Sequence, residues 1–125
     1  TFYKRLKEYR GSLSNAVVHC FTDSKKSLHD LLDLDCHIGI TGWICDERRG
    51  LELQSMVKDI PPNRLMLETD SPYLLPRDLP TKPSCRTNRP QYLPHILTAV
   101  ARHQNKQQEQ LAEEVWSTTQ NFFRL

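Results

Sequence analysis

Leu65-Met66-Leu67-Glu68-Thr69-Asp70 is an apolar run that ends in two carboxylates. Short apolar stretches of this kind read as buried strands of a parallel sheet. Two upstream segments match it: Ala16-Val17-Val18-His19-Cys20-Phe21 and Cys36-His37-Ile38-Gly39-Ile40-Thr41. Helical patterns separate the three. Thr22, Asp23 and Ser24 supply cap chemistry ahead of Leu28, Leu31 and Leu32, which share one helix face. Leu53, Met56, Val57 and Ile60 mark a second helix, stopped by Pro61-Pro62, which cannot donate the backbone bonds a helix needs. Each strand-to-strand step therefore contains a helix. That order predicts parallel βαβ units and an α/β fold.

On the amino-terminal side, Phe2, Leu6 and Tyr9 fall at helical spacing, with Gly11 as a stop. Downstream, residues 76–90 hold Pro76, Pro80, Pro83 and Pro90 together with Arg77, Lys82, Arg86 and Arg89. This predicts a long, stiffened surface loop. Tyr92, Leu93, Ile96, Leu97 and Val100 then make a helical face, with Pro94 tolerated in a first turn. A last helix is expected over about 107–123, with Leu111, Ala112, Val115, Phe122 and Phe123 packing inward.

The chain has 125 residues and 17 Lys+Arg against 15 Asp+Glu, a balance of +2 that excludes a histone-like polycation coating nucleic acid by bulk charge. The length suits one domain by itself. No apolar run approaches the ~20 residues of a membrane span, and no charged-then-apolar leader opens the chain. Cys20, Cys36, Cys45 and Cys85 match no zinc-ribbon or finger spacing. Four is an even number, so a disulfide framework stays open. Without a leader, the expectation is four reduced thiols in a cytoplasmic or nuclear protein.

In parallel α/β folds, chemistry collects at the carboxyl ends of the strands. His19 lies at the end of the first strand, and Glu68 and Asp70 at the end of the third, on one side of the pleat by simple alternation. Thr41-Gly42-Trp43 ends the second strand and offers a close backbone approach with an aromatic wall. An imidazole and a carboxylate at neighbouring strand ends suit a divalent metal, or a carboxylate acting as base on water. A hydrogen-bonded core histidine and a turn-capping aspartate suit the same residues.

The runs Val18-His19-Cys20-Phe21-Thr22, Ile38-Gly39-Ile40-Thr41-Gly42 and Leu67-Glu68-Thr69-Asp70-Ser71-Pro72-Tyr73-Leu74 resemble the TatD family of metal-dependent nucleases, in order and in separation. Asp46-Glu47-Arg48-Arg49-Gly50-Leu51, Arg77-Asp78 and the closing Asn121-Phe122-Phe123-Arg124-Leu125 extend the likeness to essentially the whole chain. It looks closest to the animal TatD-domain proteins. The resemblance implies a TIM-like β/α barrel that hydrolyses phosphodiester bonds of DNA, with RNA as an alternative, from the 3′ end. The implied cofactor is Mg²⁺, with Mn²⁺ or Zn²⁺ as alternatives.

By the same resemblance, His19 is similar to the metal-binding histidine after the sixth strand. Asp70 is similar to the metal-binding, proton-handling aspartate after the eighth, and Glu68 looks like a residue that orients its neighbours. The family's H-x-H motif, its bridging glutamate and another ligand histidine lie in the barrel's first half, and this sequence contains no H-x-H. A whole barrel takes eight strands and ~250 residues. The expectation is therefore a carboxyl-terminal half, residues 1–125 carrying about strands six to eight, incomplete as a catalyst alone. Such a half would pair with an amino-terminal half or with itself, through its open sheet edges. The competing expectation is an inactive truncated product or a weak nucleic-acid-binding module. Arg77, Arg86 and Arg89 are candidate phosphate contacts, and Trp43 and Tyr73 candidate base-stacking groups. The Asp46–Arg49 stretch is expected to form a structural loop near the site, and His29, His37, His95 and His103 to be structural.

Overall fold

The computed structural model, which describes residues 1–125, turns the three apolar runs into strands β1 (Val17–Val18), β2 (His37–Ile40) and β3 (Leu65–Leu67). They pair in parallel in the order β1-β2-β3, with Val18 opposite Ile38 and Ile40 opposite Leu67. Helix α1 (Phe2–Tyr9) precedes β1, and α2 (Lys25–Asp33) and α3 (Leu51–Met56) fill the two crossovers. After the loop come α4 (Leu93–Gln104) and α5 (Gln108–Phe123). The expected α/β architecture of parallel βα units is what forms.

Every residue of central β2 is buried. Ile38 and Ile40 join one apolar cluster with Leu28 and Leu31 of α2, Leu53 and Met56 of α3, and Ile96 and Val100 of α4. Alternation sends His37 and Gly39 to the opposite face, where the His37 ring meets Phe122 edge-on at 4.8 Å. Local chemistry sets the helix ends. Ser24 caps α2 by accepting the Ser27 amide, and Asn105 closes α4 in the left-handed conformation.

Several sequence expectations change at their boundaries. The expected six-residue strands pair over shorter lengths, and the chain turns left-handed at Cys20 (φ 51°) after β1 and at Asp70 (φ 61°) after β3. Helix α3 stops at Met56 and tightens into a 3-10 turn over Val57–Asp59, yet Leu53, Met56, Val57 and Ile60 are all buried as the pattern required. The apolar face of α1 is not a core face: Phe2 and Tyr9 are exposed, and only Leu6 packs on the main cluster. Gly11 does not end the segment; it lies inside a 3-10 turn, Arg10–Ser12. Of the two closing aromatics, Phe122 packs inward and Phe123 is exposed.

Candidate active site at the strand ends

The carboxyl edge of the sheet gathers three of the residues singled out from sequence. His19 follows β1 with its side chain 70% exposed. Two residues on, the Phe21 amide returns to the Gly39 carbonyl at 3.0 Å, which holds the His19–Cys20 turn against β2. On the other side of β2, the Glu68 amide continues the ladder to the Ile40 carbonyl at 2.9 Å.

The two strand ends are not neighbours. Because β2 lies between β1 and β3, His19 and Asp70 are separated by a full strand, which corrects the sequence expectation of adjacent ends. Glu68 spans the gap. Its Oε2 accepts the Cys20 amide at 2.9 Å and lies 3.7 Å from His19 Nδ1. The carboxylate occupies the space a side chain at Gly39 would need: a Cβ built there would sit 2.6 Å from Glu68 Cδ. Gly39 is thus the gap in the central strand through which Glu68 crosses. Burial raises the Glu68 carboxyl above its ordinary value, with the Cys20 amide and His19 acting in the opposite sense.

Asp70 sits just beyond β3 with left-handed backbone, a conformation uncommon for non-glycine residues and concentrated at turns and functional sites. Its turn is held by Asn88, 2% exposed, whose Nδ2 donates to the carbonyls of Thr69 and Tyr73 at 2.7 Å each. The Asn88 amide also donates to the Pro72 carbonyl at 2.9 Å. Sequence reading missed Asn88. The three groups it donates to are backbone carbonyls far along the chain, and only its turn-forming residue type inside a Pro-rich loop hinted at a role.

The other candidates fall into two groups. Trp43, half-buried after β2, carries the Arg49 guanidinium over its ring at 5.8 Å. Arg77 is held by Glu47, with Nη2 donating to Oε1 at 2.8 Å, and approaches Asp46 at 3.8 Å. That bond lowers the Glu47 carboxyl to about 2. Asp46 itself accepts the amides of Arg48 and Arg49 at 2.8 and 2.9 Å and shapes its own turn. The Asp46–Arg49 stretch is thus a turn clasped to the loop by Arg77. Tyr73, 73% exposed, Arg86 and Arg89 stand free on the surface.

As donors, His19 and Asp70 offer one imidazole nitrogen and one carboxylate, with the Glu68 carboxylate beside the imidazole. That nitrogen-and-oxygen chemistry fits a divalent ion such as Mg²⁺, Mn²⁺ or Zn²⁺. Two direct donors are fewer than such an ion takes from a complete protein site.

A family model described as TatD related DNase matches residues 1–124. The chain belongs to the TatD-related DNase family. Among its TatD relatives, a 3′-5′ ssDNA/RNA exonuclease TatD from Klebsiella pneumoniae is 48% identical over 122 residues, covering 98% of this chain and 46% of that protein. The protein of the same description from Pectobacterium parmentieri is 47% identical over 124 residues, covering 99% of this chain and 48% of its own length. Among solved structures, a hydrolase TatD family protein from Entamoeba histolytica superposes with a TM-score of 0.81 at 25% identity, over 95% of this chain and 45% of that one. A TatD homologue from Escherichia coli K12 gives 0.85 at 21% identity, over 98% and 45%, and shares the fold. The TatD chain described here spans about half the length of the curated relatives it matches. No helix is long and apolar enough to cross a membrane.

Proposed function

We propose that this chain is the carboxyl-terminal half of a TatD-type hydrolase that cleaves phosphodiester bonds of single-stranded DNA or RNA from the 3′ end. The observation that carries the reading is the reach of Glu68 across Gly39, which ties the His19 turn to the strand that leads to Asp70. Relatives matching almost the whole chain are named 3′-5′ ssDNA/RNA exonucleases, which supports this substrate class.

His19 and Asp70 would hold the divalent ion, for which Mg²⁺ is the first choice. When bound, such an ion supplies Lewis-acid charge toward a phosphoryl oxygen and makes water more acidic. The chain's own residues do the rest. The Asp70 carboxylate takes the proton of the attacking water. Glu68 holds the His19 turn through the Cys20 amide and places its carboxylate beside the His19 ring. Arg86 and Arg89 meet phosphates, while Tyr73 and Trp43 stack on bases. Arg77 reaches a phosphate only by leaving Glu47.

Only two of the direct donors are in this chain, so the reading includes a partner half. β1 and β3 each pair on one side alone, leaving two open parallel edges. An amino-terminal half adding strands at those edges would bring the missing donors. Four free thiols agree with a reducing compartment, cytoplasm or nucleus. A second reading, an inactive nucleic-acid-binding module, draws on that same short donor set.

The test is metal-dependent release of nucleotides from 3′-labelled single-stranded DNA and RNA, with Mg²⁺ and then Mn²⁺. The chain is assayed alone, with an added amino-terminal half, and as Asp70→Asn. Activity that appears on adding the half and falls at least ~100-fold in Asp70→Asn is expected. Equal release by wild type and Asp70→Asn would overturn the assignment. Nucleic-acid binding lost on neutralising Arg86 and Arg89, with no turnover under any condition, would favour the binding module.

A further inference from the structure

Outside the strand-end site, three different metal-binding side chains meet between the segment after β2 and the start of α4. Cys45 closes the 3-10 turn Gly42–Cys45, Asp78 lies in the Pro-rich loop, and His95 is in the first turn of α4. Their ligand atoms all lie within 4.8 Å of one another, and His95 Nε2 is 2.6 Å from Asp78 Oδ1. We propose that Cys45, Asp78 and His95 form a second metal site, selective for Zn²⁺ and distinct from the His19–Asp70 pair.

The donor chemistry chooses the metal. A thiolate, an imidazole and a carboxylate are a zinc set, whereas Mg²⁺ takes oxygen ligands and rejects sulfur. The two anions balance the dication. With zinc–ligand bonds of about 2.0–2.3 Å, donors around a tetrahedral ion stand roughly 3.3–3.7 Å apart. The site must therefore draw in by about 1 Å at its widest, and the Asp78–His95 pair must open by somewhat less. The Asp78 side chain is 40% exposed and free to make that movement. Its exposure also leaves a fourth position open to water or an outside ligand.

The frame around the donors is already held. Arg77, next to Asp78, bonds Glu47 and faces Asp46, next to Cys45, so the two loop segments are clasped before any ion arrives. Cys45 is buried, and burial with the adjacent Asp78 carboxylate keeps its thiol protonated, with its pKa pushed up to about 12. Zinc would displace that proton, as it does when it takes up a cysteine ligand. The three residues are 33 and 17 positions apart in sequence, which is why no metal-binding spacing announces them.

The test uses the whole chain and Co²⁺ as a visible stand-in, followed by displacement with Zn²⁺. A thiolate-to-cobalt charge-transfer band near one equivalent is expected in wild type, in Cys20→Ser and in Asp70→Asn. The band should be absent in Cys45→Ser. His95→Gln should keep the thiolate yet bind Co²⁺ at least ~10-fold more weakly. No band in wild type, a band that survives Cys45→Ser, or one that needs Cys20 would overturn the site. If circular dichroism shows that Cys45→Ser does not fold, His95→Gln and Asp78→Asn decide, and unchanged cobalt affinity in either overturns it. Because the band reports sulfur ligation at Cys45 and not nuclease turnover, its outcome is independent of the strand-end assignment.

Discussion

Glu68 and Gly39 occupy one volume: the carboxylate of the third strand lies where a side chain on the second would be, and from there it accepts the Cys20 amide. Any residue with a Cβ at position 39 must push Glu68 aside. Gly39→Ala is therefore expected to cost about 1–3 kcal/mol through overpacking. Glu68→Ala in the same chain removes the clash, so the double variant should be less destabilised than the two single changes summed. Urea unfolding of the four proteins measures this. Additive losses would mean that Glu68 is not confined at Gly39.

Asn88 anchors the turn that carries Asp70, through two side-chain bonds at 2.7 Å and one from its amide. Asn88→Ala leaves the Thr69 and Tyr73 carbonyls without their donor. A loss of about 2–4 kcal/mol is expected in chemical denaturation. On the proposed function, activity reconstituted with an added amino-terminal half should fall with it, even for protein that remains folded by circular dichroism, because the Asp70 turn loses its support.

The Glu47–Arg77 clasp should make stability depend on pH in a known direction. The bond to Arg77 depresses the folded Glu47 carboxyl from its usual 4.5 to about 2. Between those values the unfolded chain holds the proton and the folded chain does not, so stability from this contact is complete above 4.5 and lost as pH falls toward 2. Wild type and Glu47→Gln should thus differ in urea midpoint near neutrality and converge near pH 2. A gap that is constant over the range would show that the pair contributes no charge-dependent stability.

Three of the four cysteines, Cys85, Cys36 and Cys45, should react in a set order. Cys85 is exposed, and bonds from the Thr87 amide and hydroxyl, with the Arg89 charge nearby, lower its thiol. Cys45 is buried and pushed up to about 12. Near neutral pH, iodoacetamide is expected to label Cys85 at least ~10-fold faster than Cys36 or Cys45, which respond only on unfolding. Peptide mass spectrometry of a labelling time course gives the order directly. Early labelling of Cys45 would contradict the packing described for it.

Much of this architecture is legible in the chain itself. Apolar runs at 16–21, 36–41 and 65–70, each separated by a helical face, specify parallel βαβ units because strand and helix periodicity are local properties. Leu28, Leu53, Met56, Ile96 and Val100 are buried where those patterns put them, and His19 and Asp70 stand at strand ends as the motifs indicated. What the tertiary structure alone decided concerns residues distant in sequence. Strand order inserted β2 between His19 and Asp70, and a missing Cβ at Gly39 let Glu68 bridge them. Folding also buried Asn88 beneath the Asp70 turn, committed Arg77 to Glu47, and brought Cys45, Asp78 and His95 to one point. Each of these relationships joins atoms on segments 15 or more residues apart. No periodicity or spacing encodes such a meeting; it exists only once the sheet, the helices and the loop have packed.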